Sequence, residues 1–270
     1  MVGLTSSLRS LANGVRLSKS LTSVRLKSCY GPFGRKLNDE ELSILLNGLE
    51  HNHNLESLDV SNNQCRSQSL STLAKILDRT KIKKLNISCQ SVGEDEVMDL
   101  SVLVASLGQT TTLESLELQY NKLGDRNLAY VVAPLKYNSI KQLNLRGNRI
   151  TNTGLSILAS NIPTIKGLEY LNIYDNDFDQ YGVLELAEAL HQERCTLKFL
   201  EFEPIPNHLK AVMWPDLNWA YPENYYETKL SLWPFLLERV NKKLWKKQNG
   251  PSRVVNTIYT RLRVFFESIS

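Results

Sequence analysis

The chain has 270 residues, a formal net charge of +4 and 42% hydrophobic residues. It holds no run of about 18 apolar residues, so no helical bilayer span is expected. Neither a secretory apolar core near the N-terminus nor a disulfide framework is expected, since four cysteines in this length are too few for a stapled domain. The cysteines are expected as reduced thiols, in the cytoplasm or nucleus.

Charge is unevenly spread. Residues 1–38 carry seven basic groups and no acidic one, and residues 208–270 carry ten basic and five acidic. Residues 39–207 therefore hold 15 basic and 23 acidic groups. An acidic middle argues against a nucleic-acid cradle, which needs cations along its binding face.

In chain order, Leu4, Leu8, Leu11 and Val15 step at helical spacing and predict a capping helix within residues 1–20. The Ser-, Arg- and Lys-rich composition of residues 1–36 also fits a mitochondrial or plastid transit peptide. A first repeat then reads Leu21-x-x-Val24-x-Leu26-x-x-Cys29. Its pattern, L-x-x-L-x-L-x-x-N, returns as Leu55-Leu58-Val60-Asn63, Leu113-Leu116-Leu118-Asn121, Ile140-Leu143-Leu145-Asn148 and Leu168-Leu171-Ile173-Asn176. Looser copies start at Ile82, with Gln90 in the Asn slot, and at Leu197, with Ile205 there. Start-to-start spacings are 34, 27, 31, 27, 28 and 29 residues. Seven copies at that spacing exclude coincidence.

A strand sends alternate side chains to opposite faces, so positions four and six enter a core while five, seven and eight face solvent. Asn at position nine can bond the turn after its own strand and the neighbouring turn, building a ladder through stacked repeats. Gln90 predicts an irregular turn. Amphipathic helices are predicted between strands: one opening at Asn38-Asp39-Glu40-Glu41 with a capping-box spacing, then 69–78, 96–107, 125–135, 154–160 and 182–191. No unit buries its apolar face alone, so neighbours must stack into an α/β solenoid, a horseshoe with parallel strands on the concave face and helices on the convex face.

After Pro206 the repeat stops. Trp214, Trp219, Trp233 and Trp245 all lie beyond it. Residues 208–228 read as an aromatic-rich loop, 230–247 as an amphipathic helix with a basic edge at Lys242, Lys243, Lys246 and Lys247, and 252–265 as a last helix. A C-terminal helical cap over the last repeat is expected at 208–270, with the solenoid at 1–207. The basic helices offer a second contact with a partner.

This pattern resembles the leucine-rich repeats of the ribonuclease-inhibitor-like subclass, whose helix signature matches Gly182-x-x-x-Leu186-Ala187-x-Ala189-Leu190 and Gly154-x-x-x-Leu158-Ala159. The resemblance covers roughly residues 1–207 and implies a scaffold that hosts many kinds of partner.

No catalytic constellation, nucleotide loop, cofactor motif or metal-ligand spacing stands out; His51, His53, His191 and His208 are the only histidines. Asp175, Asp177 and Asp179 lack the Gly and closing Glu of a calcium loop. No metal and no cofactor are expected, and no enzymatic activity. The expected function is binding of a protein partner on the concave face through Glu117, Gln119, Tyr120, Asn144, Arg146, Asn172, Tyr174 and Asp175. Tyr120, Arg146 and Tyr174 are of the types enriched at binding hot spots and fall on adjacent repeats. Regulation of a small GTPase, or substrate recognition for a ubiquitin ligase, are the alternatives. The resemblance extends to GTPase activators, but their tail is acidic and this one basic. It extends also to ligase receptors, but residues 1–20 are too short for their F-box bundle.

Overall fold

The computed structural model describes residues 2–18, 20–27, 36–90, 99–190 and 195–202. Seven three-residue strands form one parallel sheet in sequence order: β1 (Ser23–Arg25), β2 (Ser57–Asp59), β3 (Lys84–Asn86), β4 (Ser115–Glu117), β5 (Gln142–Asn144), β6 (Tyr170–Asn172) and β7 (Phe199–Glu201). The register places Val24, Leu58, Leu85, Leu116, Leu143, Leu171 and Leu200 in one column. All but Val24 at the end are buried. Position six forms a second buried column through Val60, Ile87, Leu118, Leu145 and Ile173. The fold is a leucine-rich-repeat solenoid.

The convex side carries α1 (Val2–Leu17), α2 (Asp39–Leu49), α3 (Ser67–Arg79), α4 (Val104–Gln109), α5 (Gly124–Val132), α6 (Asn152–Asn161) and α7 (Gln180–Leu190). The capping box at α2 is present: Asn38 accepts from Glu41 N at 2.9 Å, and Glu41 accepts from Asn38 N at 3.2 Å. Two helices are shorter than their apolar spacing predicts. Leu100 begins no α-helix; a 3-10 turn at Ser101–Leu103 leads into α4. The helix α5 ends at Val132 and gives way to a 3-10 turn, Ala133–Tyr137, because Pro134 has no N–H to continue it.

The Asn ladder runs through the interior. Asn63, Asn121 and Asn148 are 0% exposed. Asn148 Oδ1 accepts from Asn121 N at 2.9 Å, Asn176 Oδ1 accepts from Asn148 N at 2.8 Å, and Asn121 Oδ1 accepts from Gln90 N at 2.9 Å. Residues 91–98, where the irregular turn after Gln90 is expected, lie outside the described residues, but Gln90 itself takes part in the ladder. Its longer amide reaches Cys65 N and Val60 O at 3.0 and 3.1 Å, as an Asn would from a closer backbone. Cys29 and Ile205, in the corresponding slots of the end repeats, lie outside the described residues, as do the aromatic loop and both helices expected within 208–270.

One carboxylate joins two repeats. Asp39, in the first turn of α2, accepts from the backbone N–H groups of Arg66, Gln68 and Ser69 at 2.8 to 3.0 Å and so caps α3. Burial pushes its pKa up, but the bonds from Ser69, Arg66 and Gln68 outweigh this and hold it below its ordinary value of 3.8. A depressed carboxylate stabilises the fold above its unfolded pKa and loses that contribution as pH falls through the folded one. Asp39→Ala is therefore expected to lower stability by about 1–3 kcal/mol at neutral pH. The gap between wild type and variant should shrink below about pH 4. Paired urea melts at pH 7 and pH 3 check this; a gap of equal size at both contradicts it.

Candidate partner-binding surface on the concave face

The third, fifth, seventh and eighth residues of each repeat line the concave face. The position-five column runs Arg25, Asp59, Asn86, Glu117, Asn144, Asn172 and Glu201. Most of these side chains turn back on their own strand. Asp59, Asn86, Asn144 and Asn172 accept from the N–H two residues on, at Ser61, Ser88, Arg146 and Tyr174. This closes β2, β3, β5 and β6 with the same Asx turn. Asn144 and Asn172 are only 8% and 5% exposed. Their position in the pattern predicts solvent contact, but they act as struts beneath the surface. Ser61 and Ser88 at position seven are buried too.

Position eight has a backbone demand that the pattern does not advertise. Asn62, Cys89, Tyr120, Gly147 and Asp175 all have φ between 54° and 66°. Gly, Asn and Asp adopt this left-handed conformation at little expense, whereas Tyr120 is held there at roughly 1–2 kcal/mol. Tyr120 is 40% exposed, and its ring lies on Gly147 of the next repeat.

The Arg146 guanidinium lies over both tyrosines, 5.5 Å from the Tyr120 ring centre and 4.7 Å from that of Tyr174. Three residues from adjacent repeats are thus brought together. Asp175 acts on the same group: burial raises the pKa of the Tyr120 hydroxyl, the Arg146 charge opposes this, and the Asp175 charge adds to it. Cation–π contacts of this kind contribute about 0.5–2 kcal/mol each, more as water is excluded. Each therefore gains when a partner covers the stack. Glu117 and Gln119 border the group and bond each other at 2.9 Å.

Tyr170 belongs to the same surface, though the pattern-based choice of positions five, seven and eight omits it. It occupies position three, two residues before Asn172, and alternation alone puts it on the concave side. Asn172 Nδ2 donates to Glu201 at 2.6 Å and to the Tyr170 hydroxyl at 3.3 Å. Burial, with the Glu201 and Glu117 charges nearby, pushes the Tyr170 hydroxyl up to about 12. Among the described residues no group of three His, Cys, Asp or Glu side chains is placed to hold a metal ion. Nor is any described helix long and apolar enough to cross a membrane.

Gly147→Ala tests the stack without substituting any of its members. A Cβ there would fall inside the Tyr120 ring, and Ala at φ 66° is itself strained. The variant should lose about 1–2 kcal/mol of stability. It should also shift the ring-proton resonances of Tyr120 and Tyr174 by NMR; unshifted tyrosine resonances would mean that the stack is looser than described.

A family profile described as "Leucine Rich repeat" matches residues 51–74, 109–126 and 138–159. The chain is 27% identical over 156 residues to NACHT, LRR and PYD domains-containing protein 4C of Mus musculus, covering 56% of this chain and 16% of that protein. It is 27% identical over 152 residues to NACHT, LRR and PYD domains-containing protein 13 of Homo sapiens, covering 56% and 14%. It is 26% identical over 149 residues to the ribonuclease inhibitor of Mus musculus, covering 54% and 32%. The aligned stretch is thus less than a third of each relative's own length. The seven-strand sheet and its Asn ladder make the fold a leucine-rich-repeat solenoid, and these matches support the ribonuclease-inhibitor-like type.

Proposed function

We propose that this protein is a protein-interaction module without catalytic activity of its own, and that its partner sits on the concave face, anchored at Tyr120, Arg146 and Tyr174. The observation that carries this is the guanidinium lying over two tyrosine rings from the flanking repeats. Such a group presents a wide contact surface whose rotamers are fixed in advance, which lowers the entropy lost on binding. Glu117, Gln119 and Asp175 supply the polar rim. Asn144 and Asn172 act through the side chains they hold. The relatives, named for a repeat scaffold and for an inhibitor, favour the same class of function.

Residues 208–270 serve in this reading as the cap of a repeat array spanning 1–207. The free thiols at Cys65, Cys89 and Cys195 fit a reducing compartment such as cytoplasm or nucleus.

The test is cross-linking capture from lysate, comparing wild type with a Tyr120→Ala/Arg146→Ala/Tyr174→Ala variant whose circular dichroism is unchanged. Wild type should retain a partner that the variant loses. With that partner purified, Arg146→Ala alone should weaken binding roughly 30-fold, the size of a hot-spot truncation. Equal capture by both proteins would overturn the reading.

A further inference from the structure

The concave face is electrically divided. Over the first three repeats, its described charges are Arg25, Lys27 and Lys84 against Asp59. Over the last four they are Glu117, Asp175 and Glu201 against Arg146. Each half holds three charges of one sign and one of the other, and the majority sign reverses between them. The minority charges are already engaged. Asp59 pairs with Arg25 at 3.6 Å, yet the Arg25 side chain stays 78% exposed. Arg146 is committed to the two tyrosines. Neighbouring groups register both fields. Burial raises the Cys89 thiol, and the Lys27 and Lys36 charges oppose that rise; burial also raises the Tyr170 hydroxyl, and there the Glu201 and Glu117 charges add to it.

Distance decides whether the halves cancel. Strands lie about 4.8 Å apart, so the centres of the two halves are about 17 Å apart. That is roughly two screening lengths at physiological salt. A partner therefore meets two separate fields instead of one neutral surface.

We propose that the concave face selects a polypeptide of opposite polarity, acidic over repeats one to three and basic over repeats four to seven. This rests on the reading of the concave face as the partner surface and adds the chemistry of what it takes. Electrostatic matching of this kind fixes orientation and excludes wrong partners more than it adds raw affinity.

The probe is a synthetic peptide with about five Glu residues, a Gly-Ser linker and about five Lys residues, each block long enough to cross three strands. With a nitroxide at the Glu end, amide signals of Arg25 and Lys84 in the full chain should broaden while those of Tyr174 and Glu201 persist. With the label at the Lys end the pattern should reverse. Arg25→Glu/Lys84→Glu, which changes two exposed side chains, should weaken the peptide roughly tenfold. Glu117→Lys/Glu201→Lys should do the same from the other half.

No binding at low salt, equal broadening from both labels, all-Glu or all-Lys peptides binding as well as the two-block peptide, or indifference to both reversals would each overturn the proposal. Applied to the captured partner, the same variants separate the two ideas. Loss with the tyrosine–arginine triple variant but not with either charge reversal leaves the surface standing and the polarity refuted. Retention by all of them refutes the surface itself.

Discussion

Asn148→Leu is expected to destabilise the protein by about 3–5 kcal/mol, although Leu has the same branched heavy-atom skeleton as Asn. Asn148 is fully buried. Its Nδ2 donates to Leu118 O at 2.8 Å and to Arg146 O at 3.3 Å, and its Oδ1 accepts from Asn121 N at 2.9 Å. Leucine would bring none of these partners; Arg146 O keeps the Tyr120 N–H at 2.8 Å, but Leu118 O and Asn121 N would lose the amide where water does not reach. An unsatisfied buried group costs about 1–3 kcal/mol, so the total follows from the number orphaned. Asn63→Leu provides the comparison. Its Nδ2 also meets the buried Val60 O and Ser61 O, but Val60 O keeps Gln90 Nε2, and Leu37 N and Leu26 O are only partly buried, so water can replace the amide at those two and the loss should be smaller. Urea melts rank the two variants, and hydrogen exchange locates the damage. The Asn121 N–H should exchange faster in Asn148→Leu than in wild type. Equal losses at both sites would mean that burial does not set the worth of the ladder.

The periodic part of this architecture was legible because the solenoid asks the same thing of every repeat. Leu58, Leu116, Leu143 and Leu171 had to share a column once they shared a slot, and they do. Gln90 serves the Asn slot although its residue type departs from the pattern: Gln is one methylene longer, and its amide still reaches Cys65 N and Val60 O. Side-chain return bonds were illegible for a different reason. Asn144 and Asn172 read as solvent-facing from parity alone, but parity gives direction and says nothing of depth beneath Arg146 and Tyr174. Tyr170 was available from the same parity, two residues before Asn172.

Two features could not be seen in any single repeat. The left-handed φ shared by Asn62, Cys89, Tyr120, Gly147 and Asp175 shows only when the repeats are aligned. So does the position-two row, Glu56, Lys83, Glu114, Lys141, Glu169 and Lys198. It alternates in sign, and Lys83–Glu56, Lys141–Glu114 and Lys198–Glu169 pair at 2.7 to 3.1 Å. These pairs are about half exposed and contribute only a few tenths of a kcal/mol each. They trim the rim of the sheet but do not hold it.

Leu143→Ala is expected to cost about 3–5 kcal/mol, the upper part of the usual range for such truncations. Leu143 is 0% exposed and lies between Leu116 and Leu171 in the column. Those neighbours belong to strands whose backbone bonds fix their spacing, so the cavity cannot close by a shift of one side chain. At Val24, half-buried at the end of the column, the same truncation should cost about 1 kcal/mol or less, since solvent already reaches the site. In a stacked array each repeat contacts only its neighbours, so a weak central layer uncouples what lies on either side. Leu143→Ala should therefore split one urea transition into two, while Val24→Ala keeps it single. The Tyr120–Arg146–Tyr174 stack draws on repeats four, five and six, and Leu143 sits in the strand beneath Arg146. Loss of alignment there should weaken partner binding severalfold, although Leu143 touches no partner. A single transition with unchanged affinity in Leu143→Ala would show that the three repeats hold their spacing without the central leucine, and that the anchor does not depend on the column below it.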